Sequence, residues 1–278
     1  MKLHEKHDQV SVEEGIRRYG QAAIQAVLSE YAQLDDKKIF KPRYAHTLTV
    51  SQRKGALNLI TMVKQKLCGK IKGRACADGR KQRSYVPRED ATSPTLQLES
   101  LLLSLLIDAH ENRHVGTADV AGAFLLANMK DFVLVKLKGE SVSIMCKMNP
   151  TYRKYVTIEN GKEVIYLQLV KALYGCIQSA LLWYKIFTGK LSELGFTLNK
   201  YDPCVANKWI NGSQCTICWY VDDTKMSHKD PKVIDWLVNE LEQEFGKLWS
   251  SVETNVRRYS RTTHEGLSDG MYRVIRGN

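Results

Sequence analysis

The sequence predicts an α+β fold, a mostly antiparallel sheet backed by helices. Three observations carry this. Asn160-Gly161 and Asn211-Gly212 each separate two β-prone runs, the strongest short-range signal of a hairpin closed by a type I′ turn. The apolar run Cys215 to Val221 stops on Asp222-Asp223 and resumes as Thr224 to His228, a further hairpin with the acids at its tip. Between such runs lie stretches whose apolar residues recur at helical spacing. The length of 278 residues allows one large domain or two small ones, and 44% hydrophobic content suits a sizeable core.

In chain order, residues 1–10 are polar, lack periodicity and are expected to be disordered. Ser11 caps a helix to Leu34, with Glu14 as its capping-box partner. Residues 35–50 read as a loop broken by Pro42. Ser51 opens a short helix to Ala56, a strand follows from Leu57 to Val63, and Lys66 to Arg88 reads as a hairpin. Ser93-Pro94 starts a helix whose Leu98, Leu101, Leu102, Leu105, Leu106 and Ala109 predict burial. A strand ends on Asp119, and Ala121 to Leu126 starts a short helix. Phe132 to Leu137 alternates as a strand. A helix from Ile177 to Leu194, ended by Gly195, presents Ile177, Ala180, Leu181, Tyr184, Thr188, Leu191 and Leu194. Asp230-Pro231 begins the last helix, with Val233, Trp236, Leu237, Leu241 and Phe245 on one face. Residues 249–278 are rich in Ser, Thr, Arg and Gly and read as an irregular tail. This divides the chain into an N-terminal helical extension (1–50), a main domain (51–248) and the tail.

The chemistry is concentrated in the acids. Adjacent carboxylates repel, which favours a cation beside Asp222-Asp223, and hard oxygen donors suit Mg2+. Asp119 also ends a strand-like run, 103 positions before Asp222. Pairing of those strands brings three carboxylates to one sheet edge, enough for two ions about 4 Å apart, the arrangement used for in-line attack at phosphorus. The formal charge is +11, and residues 51–88 hold eleven Lys or Arg against one acid, Asp78. So concentrated a basic face predicts a polyanion partner. The seven Cys are odd in number and follow no secretory leader, so they read as reduced thiols of an intracellular, non-secreted protein. Cys215 and Cys218 have CxxC spacing, but three apart in a strand they face opposite sides, which argues against zinc or redox work. No apolar run reaches the ~18 residues of a membrane span.

Three segments together resemble the reverse transcriptase of copia-type retrotransposons. They are Thr117 to Leu126, Lys171-Ala172-Leu173-Tyr174-Gly175 through Trp183-Tyr184, and Tyr220-Val221-Asp222-Asp223. Gly73 to Gln82, Ser93-Pro94-Thr95 and Tyr201-Asp202-Pro203-Cys204 fit the same pattern, over roughly residues 65 to 247. The resemblance implies the fingers and palm of a right-hand polymerase, with the thumb missing or incomplete, and RNA-directed DNA polymerisation with two Mg2+ ions (Mn2+ as the alternative). It implies catalytic and metal-holding roles for Asp119, Asp222 and Asp223, with the Val120 carbonyl as a further ligand. Arg74 matches the family's triphosphate-contacting arginine, with Lys72 beside it. Phe124 would close the sugar pocket against a 2′-hydroxyl. Tyr174, Gly175 and Gln178 resemble the nucleotide and template platform, though Ala180 replaces the family's usual Pro. Lys70, Arg80, Lys81 and Arg83 would follow a nucleic-acid backbone. The implied partners are an RNA or DNA template with its primer and deoxynucleoside triphosphates. The implied setting is the cytoplasm, in a virus-like particle, or the nucleus. The resemblance stops beyond Lys247, and the sequence reads as a truncated or frame-shifted copy of a polyprotein. Two alternatives remain: a non-catalytic relic that still binds nucleic acid, and a metal-dependent nuclease in which His228 would activate water.

Overall fold

Both Asn-Gly pairs form their turns. In this computed structural model, which describes residues 9–66 and 68–253, Asn160 and Gly161 take φ of 49° and 73°, and Asn211 and Gly212 take 49° and 75°. Left-handed values at both positions match the right-handed twist of the flanking strands. The hairpins close with Glu159 opposite Lys162 and Ile210 opposite Ser213. The expectations for residues 1–8 and 254–278 lie outside the described residues.

The chain runs β1 (Val10–Ser11), α1 (Val12–Tyr19), α2 (Gln21–Asp36), β2 (Phe40–Arg43), α3 (Val50–Gly55), β3 (Leu57–Gln65), β4 (Ile71–Ala77), α4 (Arg88–Ala91) and α5 (Leu98–His110). It continues through β5 (His114–Asp119), β6 (Leu134–Lys138), α6 (Glu140–Met148), β7 (Thr157–Glu159), β8 (Lys162–Leu169), α7 (Ser179–Glu193) and β9 (Thr197–Leu198). It closes with β10 (Val205–Ile210), β11 (Ser213–Tyr220), β12 (Asp223–His228), α8 (Pro231–Phe245) and β13 (Trp249–Glu253). Two compact units interleave along the sequence. The first takes the described residues up to Ala91 and Ala127–Ser179, the second Thr92–Leu126 and the residues from Ala180 onward. No described helix is long and apolar enough to cross a membrane.

The first unit is built on a seven-stranded sheet ordered β1-β3-β6-β8-β2, with β4 on β3 and β7 on β8. Only β3 and β6 run parallel. Ser11 caps α1 as expected, accepting from Glu14 N–H at 3.2 Å, but Gly20 (φ 55°) splits the expected helix into α1 and α2. The cap of α3 is Thr49, not Ser51, in a reciprocal box with Gln52. The region read as loop contains β2, which pairs with β8. The basic hairpin is β3–β4. It ends at Ala77, and Gly79–Ser84 is a 3-10 turn.

The second unit is a six-stranded antiparallel sheet ordered β13-β5-β12-β11-β10-β9. Trp249–Glu253, read as irregular tail, is its edge strand beside β5. One face packs on α7 and α8 through Trp183, Phe187, Trp219 and Phe245. The expected stripe of α7 holds in part: Leu191 is buried and Tyr184 and Leu194 pack partly buried on the core, but the centre of the buried face is Trp183 and Phe187, which the stripe did not include. The helix α5 also departs from its reading. It begins at Leu98 with no side-chain cap, and Asp202, distant in sequence, holds its entry by accepting from Gln97 N–H at 2.9 Å. It buries Leu101, Ser104 and Asp108, while Leu102, Leu103 and Leu106 stand 45%, 58% and 68% exposed.

In the first unit two backbones meet where only glycine fits. Gly175 has φ 87°, and a Cβ there would lie 2.0 Å from the Ala77 carbonyl oxygen. A Cβ on Gly79 would lie 2.2 Å from the Gly175 carbonyl oxygen. Ala77 N–H donates to Tyr174 C=O at 2.7 Å, and fully buried Gln82 accepts from Ile177 N–H at 3.0 Å. Gly175→Ala carries the left-handed penalty of about 1–2 kcal/mol and a backbone clash besides. Gly161→Ala, at φ 73° with nothing within 4 Å, carries the penalty alone. Urea unfolding should show Gly175→Ala the more destabilised of the two by at least ~1 kcal/mol.

Candidate active site

Strand pairing brings the three acid-bearing positions to one end of the second unit's sheet. Asp119 ends β5 and Asp223 begins β12, and the two are direct register partners. Residues opposite each other on antiparallel strands share a face, with Cβ atoms about 4.5–5.5 Å apart. Val120 N–H donates to the Asp222 carbonyl oxygen at 3.2 Å, which extends the pairing one step past the strands. Asp119 and Asp222 are partly exposed, and Asp223 is buried. Val120 is buried, and its carbonyl accepts from Ala123 N–H at 3.1 Å. The following segment is a 3-10 turn, Ala123–Leu126, and Phe124 packs half-buried against the core of the second unit. Among the described residues no three His, Cys, Asp or Glu side chains converge into a ready-made cation cage.

The remaining predicted residues belong to the first unit. Lys72 and Arg74 alternate onto the exposed face of β4, opposite Lys64 and Met62. Lys70 and Arg83 are exposed. The Arg80 guanidinium donates to both Asp78 oxygens, at 2.8 and 2.7 Å, and holds that carboxyl down at about 2. Lys81 donates to the carbonyls of Lys54 and Ala56 at 3.1 and 3.4 Å. Tyr174 is half-buried beside Gly175, and buried Gln178 donates to Asp131 Oδ2 at 2.6 Å. The cysteines are free among the described residues, and burial pushes the Cys215 thiol up to about 12, far from thiolate chemistry.

A family described as reverse transcriptase (RNA-dependent DNA polymerase) matches residues 55–253. The chain belongs to that family. Its relatives include the retrovirus-related Pol polyprotein from transposon TNT 1-94 of Nicotiana tabacum, 24% identical over 63% of this chain and 12% of the relative. Another is the transposon Ty1-BL Gag-Pol polyprotein of Saccharomyces cerevisiae, 24% identical over 69% of this chain and 10% of the relative. The chain thus spans about a tenth of these polyproteins. Both are copia-type elements, so the resemblance read from the motifs holds. Among solved structures, the crystal structure of prototype foamy virus protease-reverse transcriptase aligns over 80% of this chain and 22% of its own, at 15% identity and a TM-score of 0.41.

Sequence reading missed the residues that hold the acid-bearing turn and strand in place. Val221, between the apolar strand and Asp222, takes φ 59°, a conformation that is an outlier for a β-branched residue. Trp183 Nε1 donates to the Val221 carbonyl at 2.7 Å. Its ring lies 5.5 Å from that of Phe187 and 5.1 Å from that of Phe245, so the donor is fixed by aromatic packing. Trp183 was part of the resemblance, but nothing in sequence pointed it at the turn. Two residues past Asp223, on the same face of β12, Lys225 forms a buried ion pair with Asp108 of α5 and donates to Ser104 Oγ at 2.6 Å. Both charged side chains are 1% exposed. Within β12 (Asp223-Thr224-Lys225-Met226-Ser227-His228) the mixed polar sequence does not single out Lys225 as buried. His228 is buried five residues along β12 from Asp223, about 17 Å at strand rise. Its Nδ1 accepts from Asp230 N–H at 2.9 Å, and its Nε2 faces the Ile210 carbonyl at 3.2 Å. So engaged, it does not serve as the water-activating base of the nuclease reading.

Removing one partner of a buried pair leaves an uncompensated charge, which costs about 3–5 kcal/mol. Lys225→Met or Asp108→Leu alone should destabilise the chain by that order in urea melts. The double variant Lys225→Met/Asp108→Leu should recover most of the loss. If the double variant is as unstable as the sum of the singles, the pair does not act as a unit.

Proposed function

We propose that this chain carries the fingers and palm of an RNA-directed DNA polymerase. The observation that carries the reading is the register of Asp119 against Asp223, with Asp222 on a turn pinned by Trp183. The donor set is all oxygen, which suits hard divalent ions, two Mg2+ or alternatively Mn2+. Asp119 and Asp222, the more exposed pair, would be the principal ligands, with the Val120 carbonyl as a further one. When bound, such ions supply charge stabilisation for attack of a primer 3′-hydroxyl on the α-phosphorus of a deoxynucleoside triphosphate. Asp223, buried beside Asp119, adds negative charge and holds the turn's orientation.

The other residues bind and orient. Arg74 suits the triphosphate because its fork engages phosphate oxygens bidentately, and Lys72 lies on the same face of β4. Tyr174, Gly175 and Gln178 form the platform for nucleotide and template. Phe124 sets sugar choice by volume. Lys70, Arg80, Lys81 and Arg83 follow the backbone of an RNA or DNA template and its primer. The reaction takes place inside the cell, in a cytoplasmic virus-like particle or the nucleus.

Primer extension on an RNA template in Mg2+ tests this. The wild-type chain should extend the primer, and Asp222→Asn should lose at least ~100-fold while melting like wild type. A folded wild-type chain that extends nothing on any template overturns the reading. Phe124→Ala should lower discrimination against ribonucleotides about 10-fold or more, mainly through faster ribonucleotide incorporation. Unchanged sugar preference in a folded, active variant would mean that Phe124 is only core.

A further inference from the structure

The first unit holds a cavity of about 360 Å3, and of the residues that line it the reading above uses Lys81 alone. Its lining includes Arg53, Lys54, Lys81, Lys136 and Lys138 against a single acid, Glu159. Three elements supply these residues. The end of α3 gives Arg53 and Lys54, the 3-10 turn after β4 gives Lys81, and β6 gives Lys136 and Lys138. The one acid is already engaged. Lys136 forms an ion pair with Glu159, and Tyr166 Oη donates to it at 2.6 Å. Those bonds, with the Arg53 charge behind them, hold the Glu159 carboxyl below its usual range. Four cations therefore remain in excess around the cavity. Arg53 Nε is buried and has no hydrogen-bond partner, a donor costly to leave unmatched.

The neighbouring chain adds aromatic surface. Arg43 is the register partner of Tyr166, and Ala45 packs on the cluster that contains Ala56 and Tyr166, both of which line the cavity, so Tyr44 lies between two residues anchored next to it, although it does not itself line the cavity. The Tyr44 ring is 38% exposed and lies 4.5 Å from that of Tyr155 and 5.3 Å from that of His46. Cations that take phosphates beside rings that take bases are the two parts of a single-strand binding surface. We propose that this cavity is a phosphate-binding site that seats a backbone phosphate of single-stranded nucleic acid. The site is separate in residues from the carboxylates and from the exposed face of β4. It rests on the reading that the chain works on nucleic acid, but not on polymerase activity.

The test is binding of a fluorescent single-stranded oligonucleotide, followed by anisotropy in EDTA so that no metal contributes. The variant Arg53→Gln/Lys54→Gln/Lys138→Gln leaves the Lys136–Glu159 pair untouched. It should bind about 10-fold more weakly. Its slope of log K against log salt should flatten by up to ~2, at about 0.7 per lost contact on a single strand. A control, Lys147→Gln/Lys185→Gln/Lys200→Gln, makes the same change in net charge with exposed lysines elsewhere. It should bind nearly as wild type. Equal losses in the two variants overturn the proposal, because net charge alone then explains binding. A second arm titrates pyrophosphate and reads thermal stabilisation. If pyrophosphate stabilises wild type but not the pocket variant, while oligonucleotide binding is equal in both, a free phosphate compound is the ligand and the strand assignment falls. A chain that extends no primer yet shows pocket-dependent binding keeps this site and loses the proposed reaction.

Discussion

The constraint on which the second unit depends is the register of β5 against β12. Side chains in a strand alternate faces, so a slip of one residue would send Asp119 to the side of the sheet occupied by Trp219 and Met226. Lys225 works against such a slip. It lies on the face of Asp223, and its ammonium must reach Asp108 inside the fold. In any shifted register that charge would be buried without its partner, at a cost larger than the loss of an apolar contact. A buried ion pair is a poor source of net stability, but here its value is selective. It makes the native pairing of the acid-bearing strands distinctly better than its neighbours.

The turn after β11 is held by a different means. Repulsion between adjacent carboxylates, together with the left-handed Val221, makes the Tyr220–Asp223 segment locally unfavourable. The compensation comes from packing. Trp183, Phe187, Trp219 and Phe245 lie ring against ring, and the indole N–H emerges from that cluster at the Val221 carbonyl. A dense aromatic core thus stabilises a strained backbone, and the site gains a defined shape that its own residues would not choose.

Sequence legibility follows from how local each cause is. The Asn-Gly turns, the Ser11 cap, the Asp230-Pro231 helix start and the pairing of the strand that ends on Asp119 with the strand that begins at Asp223 rest on short patterns or on motif order, and each appears as expected. The centre of the buried face of α7 does not: Leu191 is buried as expected, but Trp183 and Phe187 lie at the middle of that face, and only the partner surface decides between neighbouring stripes. The buried face of α5 is likewise set from outside. Ser104 and Asp108 turn inward because Lys225 is there, which leaves several leucines exposed. Its start is fixed by Asp202, more than 100 residues later. None of these has a signature within its own window.

The cations of residues 51–88 show the same limit in electrostatic form. Counted along the chain they are one basic block, and a block predicts a single polyanion surface. Folded, they serve different ends. Arg80 is clamped to Asp78, Lys81 ties the end of α3 through its carbonyls, and Lys72 and Arg74 share the open face of β4. Arg53 and Lys54 turn to a cavity whose other cations, Lys136 and Lys138, come from a strand far along the sequence. Because β3 and β6 run parallel and adjacent, those two sets meet. A concentration of charge in sequence therefore marks where an anion is wanted only after the sheet order is known. Here that order moves part of the positive field from the hairpin to a pocket that the count alone does not reveal.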